Sequence, residues 1–181
     1  MMLIARGGDY TMPHADPNAS HAQHYSSHLR RVLAAAQQVA SAQGCPTVDA
    51  EHLALSLLDL SECTARRVLE DLGLDLAALR AELAEAAAAH CVGEADVSDE
   101  PPLTSRAERA LQIAYVEARM DHGRRGIPFE TGGRVGTQHL LLGLISPTGE
   151  VALAPLRRRG VFYGEVGEMV RRLGDPSDEP L

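Results

Sequence analysis

Two stretches that decide the fold are matched copies: residues 138–144 read QHLLLGL and residues 51–57 read EHLALSL. Nearly every position after the histidine is apolar, which is typical of a helix buried on all sides. Two further matches lie at the same offset of 87 residues: Leu69 with Leu156, and Gly73 with Gly160. Because similarity at a fixed offset indicates a tandem repeat, the sequence predicts two copies of one structural unit.

Apolar residues around these blocks recur at spacings of three and four, the period of an amphipathic helix. The first such stripe consists of Leu29, Val32, Leu33, Ala36, Val39 and Ala40. Further helices are predicted at about 50–59, at about 62–72 and after Asp75, a favourable N-cap residue. In the second copy, Ser105 and Glu108 have the spacing of a capping box. Strand-like alternation is absent, so we expect an all-α fold of two tandem four-helix repeats in a pseudo-twofold bundle.

Segments rich in glycine, proline and polar or acidic residues give the predicted boundaries of the repeats. We expect a disordered tail at 1–24, a first repeat at 25–91, an acidic linker at 92–102, a second repeat at 103–174 and a tail at 175–181. Tyr25 matches Leu103 at an offset of 78, so the second copy carries a nine-residue insertion, which falls within 123–136. That insertion is predicted to be a surface loop with Ile127 and Phe129 as its large apolar anchors. Pro155 falls inside the third helix of the second repeat, so that helix is either kinked or begins late.

The composition excludes several classes of function. All 17 basic residues are arginine, so no P-loop lysine or Schiff-base lysine exists. A net charge of −8 and 3% aromatic residues argue against a nucleic-acid platform, and no apolar run has the length of a membrane span. Cys45, Cys63 and Cys91 are odd in number and far apart, which predicts reduced core thiols and a cytoplasmic protein. No cofactor, metal site or catalytic residue is expected.

Charge divides unevenly between the copies. Residues 25–100 carry 5 arginines and 13 acidic residues, whereas residues 103–174 carry 11 arginines and 7 acidic residues. This asymmetry has two interpretations, which the sequence leaves open. The two lobes are either solvated surfaces that attract each other, or surfaces that differ in the partners they bind.

The repeated pattern resembles the Clp N-terminal domain, the module at the front of the Clp-type ring unfoldases. Each repeat of that family has a helix that begins near Phe-Thr, then a Thr-Glu-His-Leu-Leu-Leu-Gly-Leu block, then a Leu-Gly turn. Here the helix starts correspond to Tyr25-Ser26 and Leu103-Thr104, and the blocks to residues 50–57 and 137–144. The resemblance is greatest to the ClpC type and covers about residues 25–173. Because no ATPase module is present, it implies a stand-alone binding module and no enzyme.

The resemblance also implies ligands and site residues. ClpC-type domains bind phosphorylated arginine at two equivalent pockets, adaptor proteins and some cyclic peptide antibiotics. By position, Glu51 and Gln138 are the residues that face the guanidinium, and only Glu51 offers a charged fork. Donors for the phosphate are expected at the helix starts, at Ser26, Ser27, Thr104 and Ser105, with Arg30, Arg106 and Arg109 nearby. Each repeat is expected to supply the phosphate donors of its own pocket. We therefore expect the Glu51 pocket to bind phosphoarginine, and the Gln138 pocket to bind it more weakly or to take a different anion.

Two alternatives accompany this interpretation. Glu51 at a helix N-terminus is favoured by the helix dipole even without a ligand. The chain is then a docking or regulatory protein that binds the Clp unfoldase or its adaptor without recognising modified arginine. His52 and His139 occupy equivalent positions, and we expect both to tie a helix start to the neighbouring backbone rather than to act in catalysis.

Overall fold

The computed structural model describes residues 21–91, 100–148 and 153–173, so the predicted tails at 1–20 and 175–181 and most of the linker lie outside the described residues. Eight α-helices occur in this part of the chain, and its only β-structure is two isolated bridges. The first repeat contains α1 (Ser27–Ala42), α2 (Ala50–Asp59), α3 (Thr64–Asp71) and α4 (Leu76–His90). The second contains α5 (Ser105–Arg124), α6 (Thr137–Ile145), α7 (Ala154–Arg158) and α8 (Tyr163–Arg172). The all-α tandem repeat is confirmed.

The two repeated blocks form the centre of the molecule. Every residue of α6 is buried, and so is every residue of α2 except Asp59. At Gly143 a Cβ atom would lie 2.2 Å from the carbonyl oxygen of Ala110, so only glycine lets α6 pack this closely on α5. The glycine of the second block is therefore a packing requirement.

Local signals at the helix ends act as the sequence predicts, with two refinements. Asp75 accepts hydrogen bonds from the amides of Ala77 and Ala78, and Gly73 and Gly160 both adopt a positive φ after a helix. The N-cap of α5 is Thr104, one residue before the predicted Ser105. Pro155 occupies the first turn of α7, where its missing N–H is harmless, so this helix begins late and is not kinked.

The two repeats are joined reciprocally at their helix starts. Tyr25, just before α1, pairs with Val135, just before α6, while Val48, just before α2, pairs with Leu103, just before α5. The Val135 amide donates to the His24 carbonyl at 2.8 Å, and the Val48 amide donates to the Pro102 carbonyl at 2.8 Å. Each first helix thus begins beside the second helix of the other repeat.

The insertion packs against the N-terminal segment. Phe129 is 5% exposed, and its ring contacts His24, Tyr115 and His122. Ile127, the other apolar residue expected to anchor the loop, is 39% exposed. Residues 22–24, which the sequence assigns to a tail, form a 3-10 turn in this cluster.

The expectation of three reduced thiols is wrong for two of them. Cys45, in the loop after α1, forms a disulfide with Cys91 at the end of α4, while Cys63 is a free, buried thiol. The sequence does not predict this pair, because the two cysteines are 46 residues apart and only the fold brings the end of α1 next to the end of α4. No helix in the described part of the chain has the length and apolar character needed to cross a membrane.

Candidate functional site

Glu51 lies in the first turn of α2 and is 3% exposed. Asp49, the N-cap residue of the same helix, places a second carboxylate beside it. The partner of both is Arg106, which comes from α5 of the other repeat. Its guanidinium donates to Glu51 Oε1 and lies 3.5 Å from Asp49 Oδ2. A guanidinium therefore already occupies the position that the sequence reserves for a ligand.

The remaining contacts of this Glu51 site fix its shape. The hydroxyl of Thr104 donates to Asp49 Oδ1 at 2.8 Å, so the start of α5 is tied directly to the start of α2. His90, at the end of α4, has its Nδ1 atom 3.8 Å from Glu51 Oε2. That buried carboxylate oxygen has no hydrogen-bond partner among the described residues. Oε1 of Glu51 thus accepts a hydrogen bond from Arg106, and Oε2 can accept one from a ligand.

The expected phosphate donors are arranged across the repeats, and the lobe-by-lobe assignment is wrong. The amides of Ser26 and Thr104 are already used, because they donate to the carbonyls of Val135 and Val48. The hydroxyls of the same two residues cap α1 and α5. Ser27 and Ser105 hold the first helical positions, where amides have no partner within the helix.

The three candidate arginines have different positions. Arg106 contacts Glu51, as described above. Arg109 is turned along its own helix, where it donates to Gln112 at 3.4 Å. Arg30 is exposed on the first turns of α1. Of the three, only Arg106 is brought to a predicted guanidinium residue among the contacts described.

The Gln138 position has neither the carboxylate nor the guanidinium that Glu51 and Arg106 provide at the first site. Gln138 is 1% exposed, its Oε1 has no partner among the described residues, and it is folded against Gly136, where a Cβ would lie 2.4 Å from that oxygen. The offset of 78 places His28 where the second repeat has Arg106. The ionic pair of the first site is therefore replaced by an amide and an imidazole at the equivalent positions.

The two equivalent histidines tie their helix starts to the backbone, as predicted. His52 Nδ1 accepts from the Asp49 amide at 2.9 Å, and His139 Nδ1 accepts from the Gly136 amide at 3.0 Å. Because Nδ1 is an acceptor in both, each neutral ring carries its proton on Nε2. Burial lowers the pKa of His52, and burial together with the neighbouring cationic groups lowers the pKa of His139 to about 3.

Two clusters contain metal-ligating atoms within 4.8 Å of one another, and neither fits a metal well. In the group of Cys45, His52 and Cys91, the sulfurs are bonded to each other and the histidine Nε2 carries a proton. In the group of Asp49, Glu51 and His90, the cation is already supplied by Arg106. The disulfide removes both thiolates from the first group, and Arg106 offsets one of the two carboxylate charges in the second.

The fold is an all-helical tandem repeat with buried polar residues where its two repeats meet. The match with a family model is specific: residues 24–146 match the Clp repeat N-terminal domain. The chain belongs to this family.

Similar proteins support this assignment. The chain is 31% identical over 150 residues to a ClpA homolog from Guillardia theta, an ATP-binding subunit of an ATP-dependent Clp protease. It is 29% identical over 150 residues to ClpC/MecB of Bacillus subtilis, a negative regulator of genetic competence. Each alignment covers 82% of this chain, and the chain spans about 17% of the length of either relative.

Solved structures show the same fold. The N-terminal domain of the ClpV1 ATPase from E. coli superposes with a TM-score of 0.68 at 18% identity, and the alignment covers 90% of this chain and 95% of that domain. The Hsp104 N-terminal domain from Candida albicans gives a TM-score of 0.66 at 10% identity, with 86% of this chain and 99% of that domain covered.

Proposed function

We propose that this chain is a binding module of the Clp proteolysis system that holds an arginine-phosphorylated segment of a substrate or adaptor at the Glu51 site. The observation that carries the proposal is the Glu51–Arg106 contact, since the site accepts a guanidinium from this chain itself. A carboxylate with little exposure gains a charge-assisted hydrogen bond from a guanidinium, worth roughly 1.5–3 kcal/mol.

Binding then proceeds by exchange. The guanidinium of the incoming residue replaces Arg106 on Glu51, and Arg106 turns to the phosphate, aided by the amide of Ser105 at the start of α5. Glu51 keeps a cationic partner and the phosphate gains one, while Asp49 gives up its contact with Arg106. Arg106 is 28% exposed at its side chain, which gives it room for this movement.

The experiment is a calorimetric titration with free phosphoarginine and, separately, with free arginine. Replacement of Arg106 by methionine is expected to weaken phosphoarginine binding about tenfold or more while leaving arginine binding equal or tighter. Arg109→Met is the matched control, because Arg109 is turned away toward Gln112. Failure of the unmodified, folded chain to bind millimolar phosphoarginine contradicts the proposal.

A second function follows if the contact between Glu51 and Arg106 is permanent. If Arg106 permanently fills the Glu51 site, the chain acts as a docking or regulatory protein for the Clp unfoldase or its adaptor, without recognising modified arginine. Pull-down from cytosol with and without arginine-phosphatase treatment separates the two, because only the first predicts partners lost on treatment. Cyclic peptide antibiotics remain candidate ligands by family resemblance alone.

The cytoplasmic location stays a prediction. The part of its argument that relied on three reduced thiols fails, because Cys45 and Cys91 are paired in the structure. Disulfides in reducing compartments are uncommon and usually redox-active.

A further inference from the structure

The second repeat contains a cavity of about 250 Å³ that takes no part in the Glu51 or Gln138 positions. It lies between α5, α6 and α8, and its apolar wall includes Met120 and Leu142. Gly164 and Gly167 line its α8 side, and a Cβ built at Gly164 would meet no atom within 4 Å. Both glycines leave this side of the cavity without side chains of their own.

A buried histidine in the cavity wall has an unsatisfied donor. His139 is 1% exposed and lines the cavity. Its Nδ1 is engaged by the Gly136 amide, so the proton on the neutral ring is at Nε2, and that atom has no partner among the described residues. A buried donor left without an acceptor is destabilising, and an acceptor on a ligand would remove that penalty.

The first repeat provides an internal comparison. There the equivalent His52 Nε2 lies 3.3 Å from Gln43 Oε1, so the donor is satisfied within the chain. The offset of 78 places Asp121 at the position of Gln43. Asp121 is engaged elsewhere, because its oxygens lie 3.6 Å from Arg124 and 3.1 Å from Arg125. No described hydrogen bond joins Asp121 to His139, so the donor that Gln43 satisfies in the first repeat is unsatisfied in the second.

The balance of charge favours an anionic ligand. Arg171 lines the cavity and has no acidic partner among the described residues, whereas its neighbour Arg172 pairs with Glu168 at 3.0 Å. Of the two carboxylates in the wall, Asp121 faces two arginines and Glu117 accepts a hydrogen bond from the Tyr163 hydroxyl. The donors left to meet a ligand are His139 Nε2 and the Arg171 guanidinium, while Asp121 Oδ2 remains a buried acceptor in ionic contact with Arg125 but without a hydrogen bond among the described residues.

The charged groups around His139 also produce a positive potential, which favours an anionic ligand. After burial, the groups that lower its pKa are His122, Arg125 and Arg124, all of them basic. A positive potential at a neutral N–H donor stabilises an acceptor that carries negative charge.

We propose that this cavity binds a carboxylate of a partner peptide. The carboxylate accepts from His139 Nε2 and from Arg171, while the apolar neighbours of the acidic residue pack on Met120 and Leu142. An acidic side chain and a peptide C-terminus carry the same group, and the probes below distinguish them. The inference goes beyond the proposed function, because it involves neither Glu51 nor phosphoarginine.

The test titrates the full chain with three short peptides under NMR detection of the histidine side chains. The probes are acetyl-Leu-Asp-Leu-amide, its uncharged analogue acetyl-Leu-Asn-Leu-amide, and acetyl-Leu-Leu with a free C-terminus. We expect the aspartate peptide to shift the His139 Nε2 signal and to bind at least tenfold more tightly than the asparagine peptide. Binding of the free C-terminus in place of the aspartate peptide assigns the site to chain ends. Equal binding of charged and uncharged peptides, or no binding at 10 mM, overturns the proposal.

Matched variants tie the signal to the cavity. Arg171→Met is expected to weaken the carboxylate peptide about tenfold, while Arg172→Met, one residue away and outside the cavity, leaves it unchanged. Gly164→Leu adds a bulky side chain at the cavity lining, and Gly123→Leu is its control outside the cavity, because a Cβ at either glycine is sterically free. If Gly164→Leu folds as judged by circular dichroism and still binds, the site lies elsewhere and the proposal fails.

Discussion

Arg106, from the second repeat, donates to the buried carboxylate of Glu51, from the first repeat. The contact joins the acidic lobe to the basic lobe at a helix start. The charge asymmetry of the two copies is therefore used, at least here, to pair them. It also makes the Glu51 site a property of the whole domain, which has consequences for every substitution within it.

Glu51→Ala is expected to lower phosphoarginine affinity about tenfold or more, because the ligand guanidinium loses its charged fork. It also leaves Arg106 with Asp49 as its only described carboxylate partner. Calorimetry measures the affinity, and thermal unfolding in the absence of ligand checks that the fold is intact. Unchanged affinity in a folded Glu51→Ala variant contradicts the assignment of this residue.

Gln138→Glu tests whether the second position can be converted into a site of the first kind. Alone, the change buries a carboxylate at a position 1% exposed with no arginine opposite, so we expect a loss of a few kcal/mol of unfolding free energy. Adding His28→Arg supplies the missing guanidinium at the position equivalent to Arg106 and should restore stability.

The double variant should also bind two equivalents of phosphoarginine, whereas the unmodified chain binds one strongly. Calorimetry gives the stoichiometry and urea unfolding gives the stability. Additive effects of the two substitutions, with no restoration, would show that residues 28 and 138 do not form a pair.

Acid is expected to destabilise the fold through His139 and His52. Both have a pKa below the ordinary value of 6.5 in the folded state, so the unfolded chain binds more protons. Their contribution is complete above pH 6.5 and is lost as the pH falls toward the folded values, which for His139 is about 3. Each histidine contributes up to about 1.4 kcal/mol per pH unit within its window.

Urea unfolding at intervals between pH 7 and 5 measures this slope. His139→Gln should reduce this slope, because the pKa of His139 is lowered to about 3 in the folded state, and the slope that remains includes the contribution of His52. A slope that the substitution leaves unchanged would mean that other groups dominate the acid response.

Reduction of the disulfide is expected to lower the unfolding free energy by about 4 kcal/mol. Cys45 and Cys91 are separated by 46 residues, and a loop of this length gives that value from chain entropy alone. Guanidinium unfolding with and without a phosphine reductant measures the change. The Cys63→Ala variant should keep the reductant effect, while Cys45→Ser should abolish it.

Phe129→Ala is expected to cost about 3 kcal/mol of stability, because the buried ring contacts His24, Tyr115 and His122. Ile127→Ala, in the same loop at 39% exposure, should cost less than about 1 kcal/mol. Sequence reasoning treats this insertion as a dispensable loop, so deletion of its nine extra residues is the decisive comparison. A deleted chain as stable as the original would show that the Phe129 cluster contributes little.

The fold was accessible from the sequence because its strongest signals are local. The buried blocks, the Asp75 cap, the glycines after the helices and the displaced start at Pro155 all act within a turn or two of the chain. The backbone role of His52 and His139 was equally accessible, because it follows from a repeated position at a helix start.

What the sequence did not provide is the pairing of distant segments. Arg106 and Glu51 are 55 residues apart, and nothing local indicates that the first helix of one repeat begins beside the second helix of the other. The same holds for Cys45 and Cys91. A useful signal existed in the repeat offset: His28 and Arg106 are equivalent, as are Gln138 and Glu51, so both members of one ionic pair change together.

The reciprocal bridges at Tyr25–Val135 and Val48–Leu103 join the two repeats of one chain in the way that an interface joins the two subunits of a dimer. Each half completes the other, so neither offers a finished surface alone, and the covalent link between them serves mainly to keep their local concentration high. Proteolytic cleavage between residues 92 and 99 should therefore yield two fragments that stay associated and elute together. Two chains could also exchange repeats through the same contacts and form a domain-swapped dimer. The length of the segment that joins the repeats is then expected to determine whether the chain is a monomer or a swapped dimer.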